Sequence, residues 1–293
     1  MSTIAFFGPT GGCANACLAH TLINGYKAIA LARTPAKLTA QLLEQPGLTT
    51  DILDKQLRIV QGDGLDVEAV MKTLIVLESG SMEQDKPVGT SQPTLVNMIV
   101  SGMGGTGTIV FTKPCDRIGM RVPTIPHVSL TNPHITEQFA AILLAALRRI
   151  AERFGSYTDY AAVAPRLLVI STTGIKEGVN DVPFWFKMMY DVLLPIPHDD
   201  KKQMEKLLER ERVQKESLLA KGLIYVRPSL LVGDHKIAVP GVDDRYEKLR
   251  VGTEKKPAVG YTVPRAWIGR WVFDEVVKSG GDMWVGEGVI LTA

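Results

Sequence analysis

The segment Gly8-Pro9-Thr10-Gly11-Gly12 constrains this chain more than any other. It follows a short apolar run, Thr3 to Phe7, and precedes Cys13 to Asn24, where Ala16, Leu18, Ala19, Leu22 and Ile23 suit a helix that Gly25 stops. A second apolar run spans Tyr26 to Ala32. Strand, turn, helix and strand make one βαβ unit, whose crossover is expected to be right-handed. Inside it stands the pattern Gly8-x-x-Gly11-x-x-Ala14. The first glycine permits a tight turn, the second lets a diphosphate approach the backbone, and the small third residue lets helix pack on strand. The helix N-terminus then turns free N–H groups and the positive end of its dipole toward an anion. Glycines at this spacing say little alone. Between a strand and a helix they read as a dinucleotide-binding turn.

The alternation continues downstream. Pro35 to Leu43 suits a helix, Leu57 to Gln61 a strand, Asp66 to Leu74 a helix and Leu95 to Val100 a strand. Ile135 to Glu152 reads as a long helix capped by Thr131 or Asn132, and Leu167 to Ile170 as a fifth strand. Asp199 to Lys221 reads as a charged helix ended by Gly222, Leu223 to Val226 as a sixth strand, Trp267 to Lys278 as a helix, and Met283 to Leu291 as a last strand. Glu78 to Pro93 is polar and rich in Gly, Ser and Pro, as in an exposed loop. Such alternation predicts an α/β fold with a doubly wound, mainly parallel sheet. Gly62-Asp63-Gly64, Ser101-Gly102-Met103-Gly104-Gly105 and Ser171-Thr172-Thr173-Gly174 follow strand ends. Beyond the carboxyl ends of the strands is where such sheets bind ligands.

A length of 293 residues allows one large domain or two. The pattern favours a single domain over 1–293, with its core mainly in 1–175 and 222–232 and substrate-side segments mainly in 176–221 and 233–266. The net charge of +2 argues against a dedicated nucleic-acid binder and gives no reason to expect a membrane surface as partner. Three cysteines do not make a disulfide framework and suggest a reducing compartment. Cys13 and Cys17, four apart, read as small buried residues of the first helix. The five histidines are scattered, so no zinc site is expected. The first apolar run lacks a basic flank and stops at Gly8, unlike a signal peptide. The apolar stretch Phe139 to Leu147 is far short of the roughly 20 residues that span a bilayer. A cytoplasmic location is the expectation.

The second strand sharpens the cofactor choice. Sites that prefer NAD(H) place Asp or Glu at its end to bind the ribose hydroxyls. Here Arg33-Thr34-Pro35-Ala36-Lys37 stands instead. The planar fork of Arg33 suits a 2′-phosphate and Lys37 adds a point charge, which favours NADP(H).

These motifs, with Ala30-Leu31-Ala32, Gln61-Gly62-Asp63 and Tyr225-Val226-Arg227-Pro228-Ser229, resemble the atypical short-chain dehydrogenase/reductase superfamily. The likeness is to its NmrA-like and flavin/biliverdin-reductase-like branch, and it implies a Rossmann-like fold. The resemblance implies that Gly8, Thr10, Gly11 and Gly12 hold the pyrophosphate. It further implies that Arg33 and Lys37 hold the adenosine phosphate, Asp63 and Gly64 border the adenine, and Ser101 and Gly102 line the cofactor. Pro228 would lie beside the cofactor, and Thr172 and Thr173 near the nicotinamide ribose.

One departure is plain. No tyrosine has a lysine four residues on, so the Tyr-x-x-x-Lys acid/base pair of typical members is absent. Candidates for chemistry are Thr172 and Thr173, Lys201 in a segment similar to Asp-Asp-His of the flavin-reductase branch, and Tyr190 and His198 on the substrate side. Trp185 is expected in a pocket wall or the core. Three functions fit. The first is an NADPH-dependent reductase of a small apolar or aromatic carbonyl, enone or quinoid compound. The second is a non-catalytic NADP sensor with a regulatory protein partner. The third is a non-redox cyclase or isomerase on the same fold.

Overall fold

The computed structural model describes residues 2–77, 92–105, 107–112, 125–239 and 245–293, side chains excepted at 109–112, 125–127 and 188–192. The Glu78 to Pro93 loop therefore lies almost wholly outside the described residues, as does Cys115. The strands are β1 Thr3–Phe7, β2 Lys27–Ala32, β3 Leu57–Gln61, β4 Met98–Ser101, β5 Gly107–Thr112, β6 Ile125–Leu130, β7 Arg166–Ile170, β8 Leu223–Pro228, β9 Leu230–Val232, β10 Arg250–Gly252, β11 Thr262–Pro264 and β12 Gly288–Thr292. The α-helices are α1 Gly12–Ile23, α2 Pro35–Leu43, α3 Thr50–Gln56, α4 Val67–Leu74, α5 Ile135–Ala151, α6 Tyr157–Val163, α7 Phe184–Leu193, α8 Pro195–Arg212 and α9 Arg265–Val272.

Eight strands form one sheet in the order β10-β12-β8-β7-β4-β1-β2-β3. Its pairings are parallel except β10 with β12. The order reverses between β1, β2, β3 and β1, β4, β7, which places the topological switch point at the carboxyl ends of β1 and β4. Side chains alternate between two cores, as strand geometry requires. Ile4, Phe6, Val100, Leu168 and Val226 face the layer of α1 and α9. Ala5, Phe7, Ile99, Leu167 and Tyr225 face the layer of α4, α5 and α8. On β2, Ala28, Ala30 and Ala32 all turn to the first layer, and such small side chains let helices approach closely. Phe7 and Phe139 hold the second layer with ring centroids 5.0 Å apart. The Rossmann-like α/β fold is the one the alternation predicts.

Several boundaries differ. The charged helix starts earlier and stops earlier, at Pro195 and Arg212 rather than Asp199 and Lys221. Proline is tolerated in a first helical turn, where no N–H is needed, and Ser217 to Leu219 are buried after the helix has ended. Neither Thr131 nor Asn132 caps α5: its N-cap position is His134, without a side-chain cap. Leu95 makes a lone bridge to Ile75 ahead of β4. Asp282–Trp284 is a 3-10 turn, so β12 begins only at Gly288. The last predicted helix is α9 continued by a π-helical stretch, Phe273–Lys278. The antiparallel β5–β6 hairpin and the short β9–β11 pair were not expected.

Candidate functional site

Eight of the eleven predicted cofactor residues line a groove of about 620 Å³ at the switch point, and Gly12, Ser101 and Pro228 do not. Gly8, Thr10, Gly11, Arg33, Lys37, Asp63, Gly64 and Gly102 line it, with Met103, Gly104, Gly105, Thr131 and Asn132. The turn closes through Gly11 N–H on the Gly8 carbonyl, 2.9 Å. Gly8 has φ +68°, and a Cβ there would lie 2.7 Å from the Gly102 carbonyl oxygen. A Cβ on Gly102 would lie 2.6 Å from that of Ala14. Turn, β4 end and α1 thus meet with no room for side chains, and backbone is what remains to face the groove. Helix α1 has no side-chain cap at Gly11 and no acidic residue in its first turn. Its leading N–H groups lack a local anion, which suits a diphosphate at that end. These residues fit a dinucleotide.

Arg33 and Lys37 are exposed at the edge of the groove, beyond β2. The Asp63 carboxylate accepts from Leu65 N–H at 2.9 Å, fixing its own turn. Gly12 opens α1 but faces the aliphatic stem of Arg265 on α9. Ser101 is buried in register with Phe7 and Val169. Pro228 closes β8 and accepts from Thr173 N–H at 3.1 Å, so both lie at the carboxyl end of the sheet. Thr172 is half-buried. Ser171 Oγ and Thr173 Oγ1 are buried with no hydrogen-bond partner among the described residues, as is Asp181 Oδ2. The other Asp181 oxygen accepts from Gly174 N–H at 3.0 Å. Burial pushes the Asp181 carboxyl above its ordinary value.

Lys201 reaches the same end of the sheet. Its Nζ donates to the Met103 carbonyl at 2.9 Å and the Ile170 carbonyl at 2.8 Å, between the ends of β4 and β7. Desolvation brings its pKa down to about 8, opposed by the charges of Asp200 and Glu205 and by Cys13. Helix α8 is pinned on both sides of Lys201. The Asp200 carboxylate accepts from Thr136 N–H and Glu137 N–H, capping α5 across 64 residues of sequence. Glu205 is held by Arg227 of β8 through Nε at 3.0 Å and Nη2 at 2.7 Å, and Arg227 Nη1 also binds Glu254 at 2.6 Å. Burial lowers the Arg227 pKa, yet the two carboxylates outweigh it and hold the guanidinium above its ordinary value.

Of the remaining candidates, His198 stands one turn before Lys201 on α8. His198 is half-buried in the first turn of α8, and its backbone N–H bonds the Leu194 carbonyl at 3.0 Å. Tyr190 belongs to α7, but its side chain lies outside the described ones. Trp185 is 76% exposed and so lies outside the core, beside Phe184 in the first turn of α7. Sequence reasoning missed the Asp200 cap; the signal was a helix starting at Ile135 without Ser, Thr, Asp or Asn directly before it. Among the described residues no group of His, Cys, Asp and Glu could hold a metal ion, and no helix is long and apolar enough to cross a membrane.

No family model matches the chain. It is 44% identical over 299 residues to oxidase pynE of Aspergillus niger, covering 99% of this chain and 98% of that protein. It is 38% identical to reductase pytE of Aspergillus terreus, covering 99% and 97%. Among solved structures, a short-chain dehydrogenase/reductase of Veillonella parvula in complex with NADP matches with TM-score 0.60 at 13% identity, over 100% of this chain and 94% of that one. ChuY, an anaerobilin reductase of Escherichia coli O157:H7, matches with TM-score 0.51 at 13% identity, over 94% and 90%. Those two likenesses are of fold.

Proposed function

We propose a function from one premise: this chain belongs to the oxidoreductase family of the Aspergillus proteins oxidase pynE and reductase pytE. It acts as an NADPH-dependent reductase of a small apolar or aromatic carbonyl, enone or quinoid compound. One relative is named for oxidation and one for reduction, and hydride exchange with a nicotinamide runs either way. The observation that carries the reading is the continuous groove joining the glycine turn, the Arg33–Lys37 edge and the β4 end.

When bound, the nicotinamide supplies the hydride chemistry. The chain's residues bind and orient it. The turn at Gly8, Thr10 and Gly11 with the α1 N-terminus holds the diphosphate, and Arg33 and Lys37 hold the 2′-phosphate, which sets NADP(H) above NAD(H). Lys201 takes the place of the missing Tyr-x-x-x-Lys pair as proton source. Its ammonium has three hydrogens, and two are committed to the Met103 and Ile170 carbonyls. The third would be the one free to protonate the acceptor's oxygen. The neutral amine still has two hydrogens for the same two carbonyls, so the side chain keeps its place, and solvent returns the proton.

Loss of NADPH absorbance over a panel of quinones, enones and flavins tests the activity. Calorimetry of Arg33→Ala with Lys37→Ala tests the cofactor. We expect turnover of at least one acceptor class, and a loss of NADPH affinity of roughly a hundredfold or more with NADH little changed, each of the two phosphate contacts giving about 1.5–3 kcal/mol. NADPH binding without any turnover would favour a sensor, and equal losses for both cofactors would remove the preference.

A further inference from the structure

Helix α1 buries one amide side chain. Asn15 is 0% exposed among Cys13, Ala14, Ala16 and Cys17. Its Nδ2 donates to the Pro9 carbonyl at 2.9 Å, and its Oδ1 accepts from Gln45 Nε2 at 2.9 Å. Gln45 lies just past α2 and is 2% exposed. It also donates to the His235 carbonyl at 2.8 Å and accepts from Ile237 N–H at 2.9 Å. Both amide oxygens and both amide nitrogens are thereby engaged.

The Pro9 contact has a directional consequence. The described residues hold no cis peptide bond. In a trans peptide the carbonyl and the following N–H point in opposite directions. Asn15 draws the Pro9 carbonyl toward the protein, so the Thr10 N–H is turned away from Asn15. Pro9 and Thr10 both border the groove. The Gly8 carbonyl is already taken by Gly11 N–H. The Pro9–Thr10 peptide is therefore the part of the turn whose aim depends on a side chain.

We propose that Asn15, itself held by Gln45, is a positioning residue that aims the Thr10 N–H at the cofactor's diphosphate and ties that aim to segment 235–237. The inference rests on the dinucleotide reading above. Gln45 grips both backbone groups that flank residue 236, and Arg265, whose stem packs on Gly12, donates to the Gly233 carbonyl at 2.6 Å. Segment 233–237 is thus fastened at two points to the start of α1 and the end of α2. A shift of that segment reaches the turn through two hydrogen-bonded side chains.

The test is calorimetric titration of the full-length chain with NADPH and, separately, with 2′-AMP, which carries the adenosine phosphate but no diphosphate. Asn15→Ala is expected to weaken NADPH about tenfold, the effect of one well-placed hydrogen bond to a charged group, and to leave 2′-AMP within about twofold. Gln45→Met keeps the volume and leaves Asn15 in place; it is expected to weaken NADPH roughly threefold with 2′-AMP again unchanged. If Asn15→Ala does not fold, Gln45→Met carries the comparison. Wild-type binding with NADPH affinity unchanged in the variants would overturn the inference alone. So would parallel losses of both ligands, or failure of both variants to fold, since each would assign the amide pair to the core. Wild-type protein that takes up no NADPH would overturn the dinucleotide reading, and the inference with it.

Discussion

Replacing Lys201 by methionine separates proton supply from cofactor binding. Methionine fills the same path toward β4 and β7 but carries no proton and cannot bond the Met103 and Ile170 carbonyls. With a pKa brought down to about 8, the wild-type ammonium outnumbers the amine roughly ten to one at pH 7, and the ratio inverts by pH 9. If Lys201 supplies the proton, wild-type kcat in the reductive direction should fall about tenfold across that interval, with its midpoint near 8. Lys201→Met should lower kcat by roughly 10²–10⁴ and leave a rate flat between those pH values. The NADPH dissociation constant should stay within a few-fold, because the groove lining does not include residue 201. Stability has its own sign. The folded-state pKa lies below the unfolded one, so the folded chain binds fewer protons between about 8 and 10.5. Wild-type stability relative to Lys201→Met should rise with pH through that window, the burial penalty on the charge being full below it. Steady-state kinetics from pH 6 to 10, with melting curves alongside, check both points. A variant that keeps its rate, or a wild-type profile without the decline near 8, would refute Lys201 as proton source.

Two further outcomes follow from packing. Gly8→Ala places a Cβ 2.7 Å from the Gly102 oxygen at φ +68°, so a loss of at least about 2 kcal/mol in chemical denaturation is expected, together with loss of NADPH binding; an unchanged midpoint and affinity would contradict the close approach of turn and β4. Arg227→Met leaves Glu205 and Glu254 without their shared cation and is expected to cost about 3–5 kcal/mol, part of which Glu205→Gln in the same chain should restore; a neutral single variant would mean that the buried cluster is not holding α8.

The glycine turn and the edge of the groove were legible because their physics is local. Gly8, Gly11 and Ala14 act on their own turn and helix, and Arg33 and Lys37 follow the second strand directly. The apolar runs that placed Thr3–Phe7 and Lys27–Ala32 are those of strands buried on both faces, whereas Leu57–Gln61, at the sheet edge, is only partly buried. What stayed hidden depends on residues far apart in sequence. Asp200 caps a helix that starts 65 positions before it, and Gln45 binds backbone 190 and 192 residues away. Nothing in the spacing of either residue announces such a partner. Lys201 was found by likeness to a known segment, but its two carbonyl partners come from the ends of different strands. Trp185 misled because aromatic residues are most often interior, whereas the start of α7 leaves it outside.

Strand β12, drawn from residues 288–292, is not a margin of the sheet: it is bonded to β8 on one side and to β10 on the other. Deleting this handful of residues would undo two ladders at once. It would set β10 adrift and leave β8, with Arg227 on it, as a raw seam able to pair with another chain. A variant lacking residues 288–292 should therefore be recovered as aggregate rather than as a shortened folded protein.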